Sequence, residues 1–267
     1  MRKYLIICLL LFLSLPGHGQ DKYTSPVSGL ETDFGGRLSL GVDRKLAKGL
    51  HLGIDGEVRL SDNFSSFGRW QAGVGLTYKV NPYLKLGAGY IFIDKRNSDG
   101  EWNPRHRFYL DATGGIKAGD WRFSLKERLQ LTHRNPDGMN VYQANPNALA
   151  LKSRLKAQYN GFRSISPYAF VEARLALNDP ACTATWNGSS FTDYAFTGYT
   201  DAYLNRVRTA LGLEWSLTKH HALDITLFGD YCYDKIVDTN ASGTQLKSLT
   251  YDRTFITNLS IGYKFSF

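Results

Sequence analysis

The chain has 267 residues, 43% hydrophobic and 13% aromatic, with a mean hydropathy of −0.30. Aromatic richness excludes a disordered chain, and three cysteines are too few for a disulfide scaffold. No apolar run near eighteen residues follows about residue 15, which excludes a bundle of membrane helices.

Arg2 and Lys3 precede the run Leu5-Ile6-Ile7-Cys8-Leu9-Leu10-Leu11-Phe12-Leu13, and Pro16-Gly17-His18-Gly19-Gln20 follows it. A basic start, a short apolar stretch and small residues at Gly17 and Gly19 predict a secretory signal peptide over 1–19. The run is short for a membrane anchor, and no cysteine stands at the cleavage point to make a lipoprotein. The mature chain, 20–267, then keeps only Cys182 and Cys232. An oxidising compartment permits a disulfide between them, but spacing alone does not supply its geometry.

From residue 32 onward apolar residues recur at every second position, the period of a strand. The first segment carries Phe34, Leu38, Leu40 and Val42. Leu50–Leu60, Ala72–Val80, Leu84–Phe92 and Phe108–Ile116 follow, and then Trp121–Thr132. In that last stretch Trp121, Phe123, Leu125, Leu129 and Leu131 share one face, while Arg122, Ser124, Lys126, Arg128 and Gln130 share the other. Leu149–Leu155, Ala169–Leu177, Leu211–Leu217, Leu223–Leu227 and Leu259–Phe267 bring the count to eleven strands. Short turns near Arg44–Gly49, Asn81–Pro82, Ala118–Asp120, Asn160–Ser164 and Lys219–His220 alternate with polar loops. These loops are Ser61–Phe67, Asp94–Pro104, His133–Ala148, Asn178–Ala202 and Asp234–Thr250. No linker divides the chain, so one domain is expected.

Long strands with one apolar face suit a soluble barrel with that face inside, or a membrane barrel with it outside. Strand length, the alternation of short turns with long loops, and the placement of aromatics favour the second. Tyr78, Trp121, Tyr159, Trp215 and Tyr263 fall near the short turns. Phe34, Trp70, Phe92, Phe108, Tyr203, Tyr231 and Phe255 fall near the long loops. Two girdles of rings flanking aliphatic positions are what two membrane–water interfaces select. The expected fold is an all-β, antiparallel up-and-down transmembrane barrel with short periplasmic turns and long extracellular loops.

The chain ends Leu259-Ser260-Ile261-Gly262-Tyr263-Lys264-Phe265-Ser266-Phe267. Tyr263, Phe265 and Phe267 on one face resemble the C-terminal signal read by the barrel-assembly machinery of Gram-negative bacteria. Three further stretches, Asp33-Phe34-Gly35 with Leu40–Leu46, Leu76–Tyr90, and His106–Asp111 with Trp121–Leu129, resemble an uncharacterised family. This is the outer-membrane barrel family known as domain of unknown function number twenty-four-ninety. The resemblance spans nearly the whole mature chain and implies fold, outer-membrane location and lipid contact, with no activity or catalytic residue to carry over. A periplasmic C-terminus makes the first and the eleventh strand run the same way. An even count restores closure, so twelve strands are preferred, with a twelfth over residues 20–31 or within Asn178–Ala202. Ten are the alternative, and an odd barrel closed by a parallel pair is the rare third option.

The inward face carries eighteen bases against eight acids. Its core is Arg107, Arg122, Lys126, Arg128, Lys152, Arg154, Lys156, Arg206 and Arg208. Charges of both signs brace a small barrel by pairing across the lumen, but the excess of bases leaves some for solvent or for anions. The function expected is therefore an outer-membrane barrel with a basic, ion-pair-braced lumen, and the alternative is a small anion-favouring porin. Inward Gly73, Gly75, Gly87 and Gly89 leave a bare groove that relieves crowding or holds a plug or ligand. An enzyme needs a nucleophile or base pair near the rim. His106, His133, Asp94, Asp234, Asp252, His220 and His221 are the available groups, and none stands in a recognisable motif. No enzyme activity, cofactor or metal is expected. Bases confined to one strand face inside an exported barrel also argue against nucleic acid as a partner.

Overall fold

The computed structural model describes residues 27–97, 99–135 and 139–267. The expected signal peptide and its cleavage point lie outside the described residues. Eleven strands follow one another: β1 Val27–Ala47, β2 Leu50–Ser61, β3 Ser66–Lys79, β4 Leu84–Arg96, β5 Trp102–Ala118, β6 Trp121–Arg134, β7 Asn147–Tyr159, β8 Ile165–Trp186, β9 Phe191–Ser216, β10 His221–Thr239 and β11 Leu246–Ser266. Each pairs with its sequence neighbours, and β1 pairs with β11, so the sheet closes into a barrel.

Among the described residues the barrel closes with eleven strands, where twelve were preferred and ten were the alternative, and it is mixed, because β1 and β11 run parallel while the other pairs are antiparallel. Of the candidate twelfth strand over 20–31, residues 27–31 belong to β1 and the rest lie outside the described residues. The twelfth strand sought in Asn178–Ala202 is strand indeed, but it lengthens β8 and β9 to 22 and 26 residues instead of adding a crossing. Parallel pairing is slightly weaker per residue than antiparallel, and length compensates. The seam keeps one register from Leu30↔Arg253 to Asp43↔Ser266, and it is locked at the C-terminus by Lys45 N–H donating to Phe267 O at 3.1 Å and Phe267 N–H to Asp43 O at 3.0 Å.

Turn chemistry divides the two ends. At the short-turn end Gly49 and Gly119 take the left-handed φ values of 79° and 60° that tight hairpins need. Asn81 Oδ1 accepts from the backbone N–H groups of Tyr83 and Leu84. At the loop end Asp62, Asn63 and Phe64 all have positive φ. The Phe64 ring offsets this strain by lying over Gly36, where no Cβ intervenes, and edge-on to Phe34.

The apolar face is the outer one. Leu40, Leu110, Leu155 and Leu211 stand outward, Leu211 at 69% exposure. Pairing register lines the turn-end aromatics up around the wall: Trp121 opposes Tyr159, and Leu223 stands between Trp215 and Tyr263. At the loop end Phe92, His106 and His133 form one row. Tyr203 departs from the expected girdle. A bulge makes Asn205 an extra residue between the pairs Arg174↔Arg206 and Leu175↔Leu204. The bulge reverses the alternation, so Tyr203 turns into the lumen and is 7% exposed.

Inside, the glycine groove is occupied by the wall itself. The Tyr109 hydroxyl lies against Gly75 and Gly89, and the Asp55 and Asp111 side chains cover Gly73 and Gly87. Gly212 likewise makes room for the Tyr168 ring, which packs with Phe170, Ala210 and Phe228 in a small luminal core. Gly212→Ala is therefore expected to cost about 1–3 kcal/mol through overpacking. In a Tyr168→Ala background the same change is expected to cost less than about 0.5 kcal/mol, a coupling that a double-mutant cycle of urea unfolding reads directly.

Candidate functional site: a basic chamber at the loop end

Asp230 on β10 divides the lumen into two levels. It is 2% exposed, accepts from Arg208 Nε at 2.5 Å and Nη2 at 2.8 Å, and lies 3.5 Å from Arg37. Both guanidiniums also stand over the Phe228 ring, at 4.3 and 4.5 Å. Toward the turn end most of the bases are paired or covered. Asp111 receives Arg128 at 2.6 Å and Lys126 at 2.8 Å, and Glu172 receives Arg154 at 2.5 Å. Lys156 sits 3.7 Å from the Tyr168 ring centroid, and the Tyr168 hydroxyl donates to Asp224.

Toward the loop end the lumen opens into a chamber of about 650 Å³. Thirteen Arg and Lys side chains line it against four aspartates. Strand alternation sends these bases inward, and register places them side by side. Arg37, Arg59 and Arg69 are direct cross-strand neighbours on β1, β2 and β3. Lys152, Arg174 and Arg206 repeat the arrangement on β7, β8 and β9, roughly across the barrel in strand order. Arg105 opposes Arg134 between the two rows. Like charges directly opposite one another destabilise a sheet, so such rows need compensating charge.

The first row carries its own compensation: Asp230 on Arg37, Glu57 on Arg59 at 2.5 Å, and Gln71 on Arg69. Arg107 Nε donates to Thr132. Buried Nε groups of Arg69, Arg134 and Arg206 face no acceptor among the described residues.

A strap narrows the mouth. Between β6 and β7, Asn140 Nδ2 donates to Thr239 Oγ1 at 3.0 Å and to Asn240 O at 3.1 Å, and Gln143 Nε2 donates to Asp238 at 2.8 Å. The Tyr199 hydroxyl donates to Val141 O, and the Tyr142 ring seats on Gly243, whose φ is 64°. Met139, Gln143, Ala144 and Asn145 thereby join the chamber wall. The extensions of β8–β9 and β10–β11 support the strap with an apolar core of Ala184, Val237, Leu246 and Leu249.

Of the nine luminal bases singled out in the sequence, Arg107, Lys152, Arg206 and Arg208 line the chamber. Lys126, Arg128, Arg154 and Lys156 belong to the lower level, and Arg122 is exposed near the turn end, opposite Lys117 and Gln158. Lys95, Arg96, Arg105 and Lys235 line the chamber as well. Sequence reading missed Lys95, Arg96 and Lys235 because their segments were assigned to polar loops. For Arg105 the signal was present, since it continues the inward alternation of Arg107.

Tyr263, Phe265 and Phe267 stand on the outer face, with Phe265 against the His221 ring, Phe267 against Phe265, and Arg44 over Phe267. His106 accepts or donates at Nδ1 with the Tyr90 hydroxyl at 2.7 Å, and His133 pairs with Asn147 at 2.8 Å, both on the outer face. His220 meets Ser266 O and His221 the Tyr263 hydroxyl. Asp234 accepts from Asn205 and stands opposite Asp252, and Asp94 opposes Trp70 and Pro104. Cys182 and Cys232 are not joined in a disulfide. Among the described residues no three His, Cys, Asp or Glu side chains form a metal-binding group.

Fold and chamber define a closed eleven-stranded β-barrel, apolar outside and basic within. The profile of the family described as "Protein of unknown function (DUF2490)" matches residues 35–240, and the chain belongs to that family. No curated protein matches it. Among solved structures it is similar to the siderophore receptor PirA from Pseudomonas aeruginosa, at 10% identity and a TM-score of 0.18. That similarity covers 83% of this chain and 56% of the receptor, so the chain spans little more than half the receptor's length.

Proposed function

We propose that the protein is an outer-membrane β-barrel that draws small anions from the loop side into its basic chamber, the lower lumen being braced by ion pairs. An apolar outer face ringed at both ends by aromatics supports the membrane reading. The expected export signal and the C-terminal Tyr263, Phe265 and Phe267 support the outer membrane in particular. Anion preference rests on one observation, the two rows of like charge held in register around a cavity. Charged clefts with low-dielectric walls raise the local concentration of the opposite ion by about 10–1,000-fold. The reading is of a binding and entry surface for solutes, not of an enzyme.

Ala148 lines the chamber and offers a position for a probe. In outer-membrane vesicles, Ala148→Cys is expected to react at least about tenfold faster with a negatively charged thiol reagent than with a positively charged one of the same size. Arg174→Gln should shrink that ratio. Equal rates, or faster labelling by the cation, would contradict anion entry.

A further inference from the structure

We infer that the row Lys152–Arg174–Arg206 is the recognition site for a compact, water-soluble solute carrying two or more phosphate or carboxylate groups. The inference rests on the reading of the chamber as a space for anions, but not on conduction through the barrel. Adjacent strands lie about 4.8 Å apart, so the three side chains start from neighbouring points on one wall and converge on one space. Each like-charged pair opposes the sheet that holds it. On the facing row the opposing charge or acceptor is built in, through Asp230, Glu57 and Gln71.

On β7–β9 it is incomplete. Glu172, next to the row, is shared between Arg154 and Lys152, and Asp230 is engaged by Arg208 and Arg37. Asp201 is engaged by Lys235 and one oxygen of Asp234 by Asn205. Asp179 lines the chamber beside the row, and against three cations this carboxylate and a share of Glu172 leave a net positive charge. Nε of Arg206 is buried without an acceptor among the described residues, as are Nε of Arg134 on the next wall and Nε of Arg69 on the facing row, so the unsatisfied donors surround the chamber. Buried donors are nearly always satisfied, and the partner that satisfies these comes from outside the chain.

Chemistry narrows the solute. Arginine presents a planar fork that takes phosphate or carboxylate oxygens two at a time, and lysine adds a point charge. A monovalent anion answers only one of the three positions, whereas a polyanion spans them. About 650 Å³ is room for a small-molecule ligand. Gln143, Asn145, Asn205 and the Tyr203 ring line the same space and suit hydroxyl or other uncharged polar groups. The row faces the lumen and is separated from lipid by the strands that carry it, so a lipid headgroup is not the source.

The test is calorimetric titration of the folded, full-length mature protein in detergent micelles with pyrophosphate, citrate and acetate. Pyrophosphate or citrate is expected to bind at least 100-fold more tightly than acetate. Arg174→Gln and Lys152→Gln should each weaken that binding at least tenfold, whereas Arg122→Gln, which removes the same charge at the turn end, should change it less than twofold. Tighter binding of pyrophosphate assigns phosphate chemistry, and tighter binding of citrate assigns carboxylate chemistry; both support the site. Wild-type protein that holds neither more tightly than acetate would overturn the inference without any variant. So would an equal loss in Arg122→Gln, which would signify diffuse luminal charge. Anion-favoured labelling at position 148 combined with absent polyanion binding would sink this inference alone, leaving the wider reading in place.

Discussion

Replacing Asp230 with asparagine is expected to lower the stability of the folded barrel by about 3 kcal/mol, toward the lower end of the 3–5 kcal/mol typical of broken buried ion pairs. The carboxylate is almost wholly buried and joins strands that are not neighbours. Arg208 reaches it from β9 and Arg37 from β1, two strands away around the barrel. Asparagine keeps the shape and one acceptor oxygen but leaves two guanidiniums at one level with no counter-charge between them. Part of the loss is recovered, because Arg37 retains Asn258 Oδ1 at 3.4 Å, both guanidiniums keep the Phe228 face, and water can enter the chamber above. Urea unfolding in lipid vesicles measures the difference. A loss below about 1 kcal/mol would mean that the pair is already solvated like a surface salt bridge.

That expectation separates two uses of charge that composition merges. Below Asp230, bases meet Asp111 and Glu172 from adjacent strands, and their removal is a stability question. Above it, Lys152, Arg174 and Arg206 belong to a chamber whose bases outnumber its acids, and their removal is a question of what enters. Both levels lie on the same strands, only a few residues apart: Lys152 and Arg154 differ by one inward step.

The wall was legible because period two is hard to mistake. Trp121, Phe123, Leu125, Leu129 and Leu131 announced their common face, and the outward stand of Leu110 and Leu211 agrees with it. Legibility failed where polarity and strand coincide. Asn178–Ala202 reads as loop because repeated register shifts break its alternation, yet its backbone pairs as strand on both sides of the turn at 187–190. Tyr203 failed for a different reason: one extra residue at Asn205 inverts the alternation, and a bulge leaves no mark in hydropathy. The parallel seam is the rare option for a barrel in general, whereas the Leu30–Asp43 register that makes it belongs to this chain. For the chamber, the inward bases were visible as a set. Their rows were not, because adjacency on a wall depends on register between strands, which a single strand does not carry.

The central claim is that the outer apolar band faces lipid, and Leu211→Arg tests it most directly. Leu211 is 69% exposed, aligned between Ala169 and Leu227, and four residues from Trp215 at the turn end. In a soluble barrel an exposed leucine exchanged for arginine changes stability by about 0.5 kcal/mol or less. Facing the interior of a bilayer, the same exchange costs about 2–4 kcal/mol. Thr197→Arg, on the exposed β8–β9 extension beyond the loop end, serves as the control and is expected to be neutral within about 0.5 kcal/mol. The measurement is the folding free energy from reversible urea titration in lipid vesicles for wild type and both variants. A loss of about 2–4 kcal/mol for Leu211→Arg alone is the predicted result, and an Leu211→Arg protein as stable as the control would contradict the membrane reading.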